Sequence, residues 1–355
     1  MIKIGIIGRT AYNKNISDGQ TILTRIFADE LRKAFADCKI YIVDTYNYKR
    51  NALKCFIKTI KCLIVSDYIF VMLSRNGLKF YLPFLYYTNK IFKKKLYHRV
   101  IGGSLDKLVI KNNKWIKYLN AFQCNYVETN QLKNRLNTLG ISNVKVSPNF
   151  KPLVQTKQKV ARYTSNDEIR FCTFSRVARE KGITDAVNAI IAVNKLRKKN
   201  KVYLDIYGQI DHNYQNEFNE LLKKSKYINY KGIIKYDETV QVLNKYYALL
   251  FPTYWEGEGF PGTFIDCFAS GLPIIATDWN YNAEIIKNNL TGYIYKRDSD
   301  NYNLIKEIKL SLENVEQINK MRKNCLKEYK KYNPQNVINE IKKDMILNQE
   351  IKWKF

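Results

Sequence analysis

Histidine is almost missing from this chain: there are two in 355 residues. The seven cysteines stand far apart, at 38, 55, 62, 124, 172, 267 and 325, and no CxxC pair occurs. Zinc sites and disulfide frameworks need closer or paired spacing, so neither is expected, and reduced thiols in the cytoplasm are the simplest reading. No apolar run reaches the roughly 20 residues of a spanning helix. The two longest, 62–73 and 80–92, are broken by Asp67 and by Asn89-Lys90, which points to a soluble or peripheral protein. The opening MIKIGIIG turns polar too soon for a signal peptide and reads as a buried strand. Internal repeats, low-complexity tracts and RNP, helix-turn-helix or zinc-finger patterns are all absent, which leaves nucleic acid without a recognisable reader.

Acidic residues are scarce as well. Thirty-two Asp and Glu face 60 Lys and Arg, for a formal charge of +28. The excess is uneven, at +18 over residues 1–150 and +10 over the rest. A basic N-terminal half suits nucleic acid, an anionic membrane surface or an anionic substrate. A general drift towards Lys, Asn, Ile and Tyr explains it equally well, and both readings stay open. Residues 78–87 (LKFYLPFLYY), followed by Lys90, Lys93, Lys94 and Lys95, mix aromatics with a basic cluster. This is either a surface for an anionic membrane or a core helix with a solvated end.

What is present in abundance is alternation. Short apolar runs at 3–7, 39–43, 68–73, 97–101, 121–127 and 144–146 alternate with helix-like stretches such as 20–35 and 131–139. A second set of runs follows at 169–175, 202–207, 228–231, 248–252, 273–277 and 292–295, with helical patterns at 184–198, 215–224, 237–245 and 263–270. Such alternation predicts parallel sheets covered by helices. The fold expected is α/β, with a Rossmann-like domain over 1–150 and another over 151–334. Ligands should bind at the carboxyl ends of the strands, in a cleft between the domains. The tail, 335–355, is helical in pattern and is expected to pack back on the first domain.

Two segments carry chemistry. Residues 251–266 (FPTYWEGEGFPGTFID) read as a strand end, a glycine-rich loop and a helix start. Backbone amides can approach a ligand closely there, and the helix N-terminus favours anionic or hydroxyl groups. Glu258 in the loop and Asp266 on the helix are carboxylates suited to a hydroxyl-rich ligand. By spacing alone, a solvent-facing Asp266 and a Glu258 that merely faces the helix dipole fit as well. Residues 173–182 (TFSRVAREKG) also join a strand to a helix, and Arg176 and Lys181 can converge on a diphosphate. An ordinary charged surface loop is the plain alternative.

Together these segments resemble the donor-binding signatures of retaining glycosyltransferases of family 4. The resemblance continues through Ala269 to Asp278, then Glu284-Ile285-Ile286 and Thr291-Gly292; its N-terminal part is Asp18-Gly19-Gln20-Thr21 and Ser147-Pro148-Asn149-Phe150. It implies a GT-B fold and transfer of a sugar from a nucleotide-sugar donor to a glycan or lipid-linked acceptor, in surface polysaccharide assembly. Arg176 and Lys181 would bind the diphosphate, and Glu258 would contact the donor sugar. Asp266 stands where the family has a second glutamate that binds ribose, one methylene short of that residue. Amides at Gly259 and Phe260 would meet the donor, Glu284 would lie near it, and Gly19 would let the first domain approach the phosphates. Many relatives place a histidine at the end of an N-domain strand. Here His98 lies at the start of the run 97–101, so a structural role is expected for it.

Breaking the anomeric bond builds negative charge on the phosphate, which Arg176, Lys181 and helix N-termini can meet without a metal. No DxD motif stands in a suitable loop, so neither metal nor cofactor is expected. A nucleotide-sugar epimerase of the same fold, a partner-dependent degenerate transferase and a non-catalytic basic binding protein are the rival readings.

Overall fold

A computed structural model gives the structure. It describes residues 1–355 except 13, 15–17, 36, 49, 156–161 and 351–355, and the side chains of 347–350. The last five residues of the expected tail therefore lie outside the described residues. The chain divides into two compact units: Met1–Pro152 with Tyr332–Phe355, and Leu153–Lys331.

The first unit holds a parallel sheet of β1 (Ile2–Gly8), β2 (Cys38–Asp44), β3 (Tyr68–Met72), β4 (Lys95–Arg99), β5 (Cys124–Val127) and β6 (Val144–Val146) in the order β2-β1-β3-β4-β5-β6. Helices cover the strands, so β3 and β5 are buried along their whole length, the pattern of short continuous apolar runs that marks such strands. Helix α1 (Gly19–Ala34) starts at Asp18, whose carboxylate accepts from the Thr21 amide at 3.1 Å. That bond satisfies one of the orphan donors of the first turn. Helix α2 (Ala52–Val65) precedes β3 and α3 (Arg75–Phe92) follows it.

The helix Pro334–Glu350 belongs to this unit. Val337, Ile338, Ile341 and Met345 are buried in one cluster with Ile4, Phe27, Leu31 and Phe70. Tyr126 donates to Asp344 at 3.0 Å and Lys342 to the Ala34 carbonyl at 2.9 Å, so polar bonds secure both flanks of that seam.

The second unit is another six-stranded parallel sheet. It comprises β7 (Arg170–Phe174), β8 (Tyr203–Tyr207), β9 (Ile228–Gly232), β10 (Ala248–Phe251), β11 (Ile274–Thr277) and β12 (Gly292–Tyr295), in the order β12-β11-β10-β7-β8-β9. Its core runs from Phe171, Leu204 and Ile206 through Leu250 and Ile275 to Leu304 and Met321, all buried. Arg322, buried as well, donates to the carbonyls of Tyr246 at 2.6 Å and Asn244 at 2.8 Å. It thereby fastens the helix Val315–Tyr329 to the turn that feeds β10.

One strand is displaced from its expected place. β4 spans Lys95–Arg99 rather than 97–101, so His98 is near its end and not at its start. Arg99 explains the slip. It is fully buried, with Nη1 donating to Ser147 Oγ at 2.7 Å and Nη2 to the Pro148 carbonyl at 2.9 Å, beside the rings of Phe27 and Phe150. An arginine enclosed this way occupies a core position that hydropathy assigns to an apolar residue. Burial lowers its pKa to about 10, opposed by the charge of Glu128.

Candidate functional site

In both sheets the strand order reverses once, and ligands of open α/β sheets gather at the carboxyl ends beside such a reversal. In the second unit it falls between β7 and β10. The loop after β7 carries Arg176 and Lys181, and the loop after β10 carries Glu258.

Backbone contact joins these two loops. The Tyr254 amide donates to the Glu180 carbonyl at 2.9 Å, and Thr253 Oγ1 lies 3.3 Å from the same oxygen. Gly182 makes the approach possible: its φ is +72°, and a Cβ there would stand 2.1 Å from the Pro252 carbonyl oxygen. Gly208 serves the other flank at φ +139°, where a Cβ would meet the Ser175 oxygen at 1.7 Å. No L side chain fits either place.

Lys181 and Glu258 meet across the junction, Nζ to Oε2 at 2.6 Å, with side chains 9% and 7% exposed. Thr253 Oγ1 donates to the same carboxylate oxygen at 3.0 Å. The ammonium also lies 4.4 Å from the centre of the Trp255 ring. A desolvated ion pair of this kind is held by mutual compensation, and each charge is costly without the other. Chemically it gives one fixed cation and one fixed hydrogen-bond acceptor side by side.

Arg176 behaves differently. Its side chain is 46% exposed and pairs with Glu180 at 2.9 Å and Asp211 at 3.2 Å. Exposed pairs are worth little, so an anion can exchange for either carboxylate cheaply. Its guanidinium stands 5.8 Å from the Trp255 ring centre, so Arg176 and Lys181 converge on one indole.

The remaining expected residues are less alike. Gly259 is half-buried and Phe260 buried, just ahead of the helix Gly262–Ser270. Glu284 is half-buried in the first turn of the short helix Asn282–Ile285. Asp266 is fully enclosed and accepts from Thr239 Oγ1 at 3.3 Å, so it is not the solvent-facing residue its spacing allowed and offers no open edge to a ribose. Gly19, in the other unit, is exposed at the start of α1, with open space around a notional Cβ.

Several contributors were not read from the sequence. Asn280, at φ +49°, donates from its amide to the carbonyls of Glu256 at 3.2 Å and Glu258 at 3.0 Å. Trp279 Nε1 donates to the Trp255 carbonyl at 2.8 Å. These bonds set the course of the glycine-rich loop from the far side. The readable hint was Asn in a turn after a strand, since Asn tolerates positive φ.

His98 is fully buried, as a structural role requires. Its Nδ1 lies 3.1 Å from Asn125 Oδ1, while Nε2 has no hydrogen-bond partner among the described residues. Burial pulls its pKa down to about 4, against the bond to Asn125. A neutral ring with its proton on Nδ1 fits these contacts. Nothing here exposes it to a ligand.

The first sheet reverses between β1 and β3, and a cavity of about 600 Å³ opens there. Its walls include Arg9, Gln20, Tyr46, Arg50, Asn76 and Tyr81. Among the described residues no group of three His, Cys, Asp or Glu side chains could hold a metal ion, all seven cysteines are free, and no helix is long and apolar enough to cross a membrane.

Two Rossmann-like sheets with ligand-type loops at each reversal define the GT-B class of α/β proteins. Residues 154–328, nearly the whole of the second unit, match the family described as Glycosyl transferases group 1. A GtfA subunit of UDP-N-acetylglucosamine–peptide N-acetylglucosaminyltransferase from Streptococcus agalactiae is 34% identical over 128 residues. That match covers 36% of this chain and 24% of the relative, so the chain spans about a quarter of the curated protein it resembles. In structure the chain is similar to Anabaena HepE solved with UDP and glucose, at TM-score 0.74 and 12% identity over 97% of this chain and 99% of that one. Sucrose-phosphate synthase from Thermosynechococcus elongatus aligns over 100% of both chains, at TM-score 0.76 and 13% identity. At those identities the likeness shows the fold alone.

Proposed function

We propose that this protein transfers a sugar from a nucleotide-sugar donor to a glycan or lipid-linked acceptor, with retention of anomeric configuration. The observation that carries the reading is the enclosed Lys181–Glu258 pair at the β7/β10 reversal, with Arg176 beside it on Trp255. The donor diphosphate lies against Arg176 and Lys181. As the anomeric bond breaks, their fixed positive charge meets the charge growing on the leaving phosphate, with no metal or cofactor in the step. Glu258 accepts hydrogen bonds from the sugar hydroxyls, and the amides at Gly259 and Phe260 line the same loop.

A uridine donor is favoured by the name of the streptococcal relative and by the UDP in the HepE structure. UDP-N-acetylglucosamine is therefore the first donor to test. The acceptor is assigned to the cavity at the β1/β3 reversal, where arginines, amides and tyrosines suit a polar, hydroxyl-bearing molecule. Assembly of a surface polysaccharide, at the inner face of the cytoplasmic membrane, is the setting this chemistry fits. A protein acceptor is the second reading, and the peptide acceptor in the relative's name favours it.

The test is turnover of UDP-sugars, with and without acceptor, by wild type, Lys181→Ala and Glu258→Ala. Loss of one such group should lower turnover about a hundredfold or more. Turnover near wild type in both variants would remove the assignment.

A further inference from the structure

Helices α2 and α3 leave an apolar surface without a partner. On α2 the exposed face carries Leu53, Phe56, Ile57 and Ile64, at 72%, 44%, 58% and 58% exposure. On α3, Phe80, Tyr87 and Ile91 are exposed at 59%, 54% and 79%. These three, with half-buried Phe84, recur at the spacing that places residues on one helical stripe. The two stripes touch, because Phe84 lies 5.4 Å from Phe56 and 6.3 Å from Phe80 between ring centres. Meanwhile the opposite face of α3, with Leu78, Tyr81, Leu82 and Leu85, fills the core. Single exposed apolar residues need no explanation, but a joined patch on two neighbouring helices does.

The rim of this patch is of one sign. Lys54, Lys58 and Lys61 border the α2 stripe, and Lys79, Lys90 and Lys93 flank that of α3. None of these six makes an ion pair among the described residues. Between residues 45 and 105 the chain has twelve Lys and Arg against one acidic residue, Asp67. That carboxylate is already engaged, accepting from the Lys3 amide at 3.0 Å.

We propose that the α2–α3 face of the first unit seats on an anionic lipid bilayer. Phe56, Phe80, Ile57 and Ile91 enter the headgroup boundary, while the lysines reach the lipid phosphates on their aliphatic stems. Charge complementarity selects the occupant. A polyanion such as nucleic acid would need cations among the central contacts, whereas here Phe56, Phe80 and Phe84, with aliphatics beside them, hold the centre and the cations the edge. The same helices line the first unit's cavity through Arg50, just before α2, and Ser74, Asn76, Gly77 and Tyr81 at the start of α3. Docking would therefore bring that cavity close to the membrane surface, where a lipid-linked acceptor resides. This last point rests on the transferase reading; the docking itself does not.

The experiment is co-sedimentation of the full chain with vesicles of phosphatidylcholine alone or mixed with phosphatidylglycerol, at low and high salt. Wild type should bind the mixed vesicles at low salt, lose them as salt rises, and leave the neutral ones. Two variants are compared, F56S/F80S/I91S and K54Q/K58Q/K61Q, both at exposed positions. Each should lower the partition about tenfold or more with an unchanged melting temperature. No binding to mixed vesicles at low salt, equal binding to neutral ones, or variants that bind like wild type would each overturn the proposal. So would a dimer in solution that F56S/F80S/I91S splits, with no vesicle binding, since the face would then hold a second copy. No donor enters this assay, so its failure leaves the transferase reading intact.

Discussion

Removing either partner of the Lys181–Glu258 pair leaves the other as an enclosed, uncompensated charge. Such single losses cost about 3–5 kcal/mol when the pair is buried, so Lys181→Met and Glu258→Leu should each lower the melting temperature. The double variant restores an apolar contact and should regain most of that stability while staying inactive. Denaturant melts beside turnover assays check this; recovery of activity in the double variant would contradict the role given to the charges. His98 makes a separate statement about pH. Its pKa is about 4 when folded and roughly 6.5 when unfolded, so the unfolded chain binds more protons between these values. Stability due to His98 is complete above pH 6.5 and is lost as pH falls towards 4, to a total of about 3 kcal/mol. His98→Leu should flatten that part of the stability profile, and a slope equal to wild type would exclude the explanation.

Among elements, the close passage of the two site loops is the most demanding feature. Gly182→Ala puts a Cβ on the Pro252 carbonyl at a positive φ, so either the loop after β7 or the end of β10 must move. We expect donor turnover to fall more than tenfold even though no charged group is touched, together with a lower melting temperature. A variant equal to wild type in both would mean that the loops do not depend on this contact. Elements were legible where local pattern decides them. Strands enclosed on both faces, such as β3 and β10, stand out as short apolar runs. Legibility failed where tertiary contacts decide. β4 slipped by two residues because a buried arginine stands at its end. In the site, the glycines and the charges at 176, 181 and 258 were visible as motif letters. Thr253 and Asn280 were not, since bonds across loops leave no mark in spacing. The enclosure of Asp266 likewise depends on which face of its helix meets Thr239.

Across the whole molecule, one architectural rule is used twice. Each unit reverses its strand order once, and each reversal gathers the polar side chains that an apolar sheet cannot otherwise present. The excess positive charge is not spread evenly over this plan. It is densest between residues 45 and 105, on the two helices that also carry exposed aromatics. A purely compositional drift explains the lysines but not the joined apolar stripes they border. In the second unit, the proposed nucleotide-sugar site rests on Lys181, Glu258 and Arg176. The most direct measurement is a thermal-shift titration with UDP, UDP-N-acetylglucosamine and other nucleoside diphosphates, on wild type and on Arg176→Ala/Lys181→Ala. A ligand present at about a hundred times its Kd stabilises the folded state by about 2.7 kcal/mol. A rise of that order is expected for a uridine nucleotide in wild type and none in the double variant. No shift with any nucleotide in a folded wild-type protein, or an equal shift in both proteins, would contradict it.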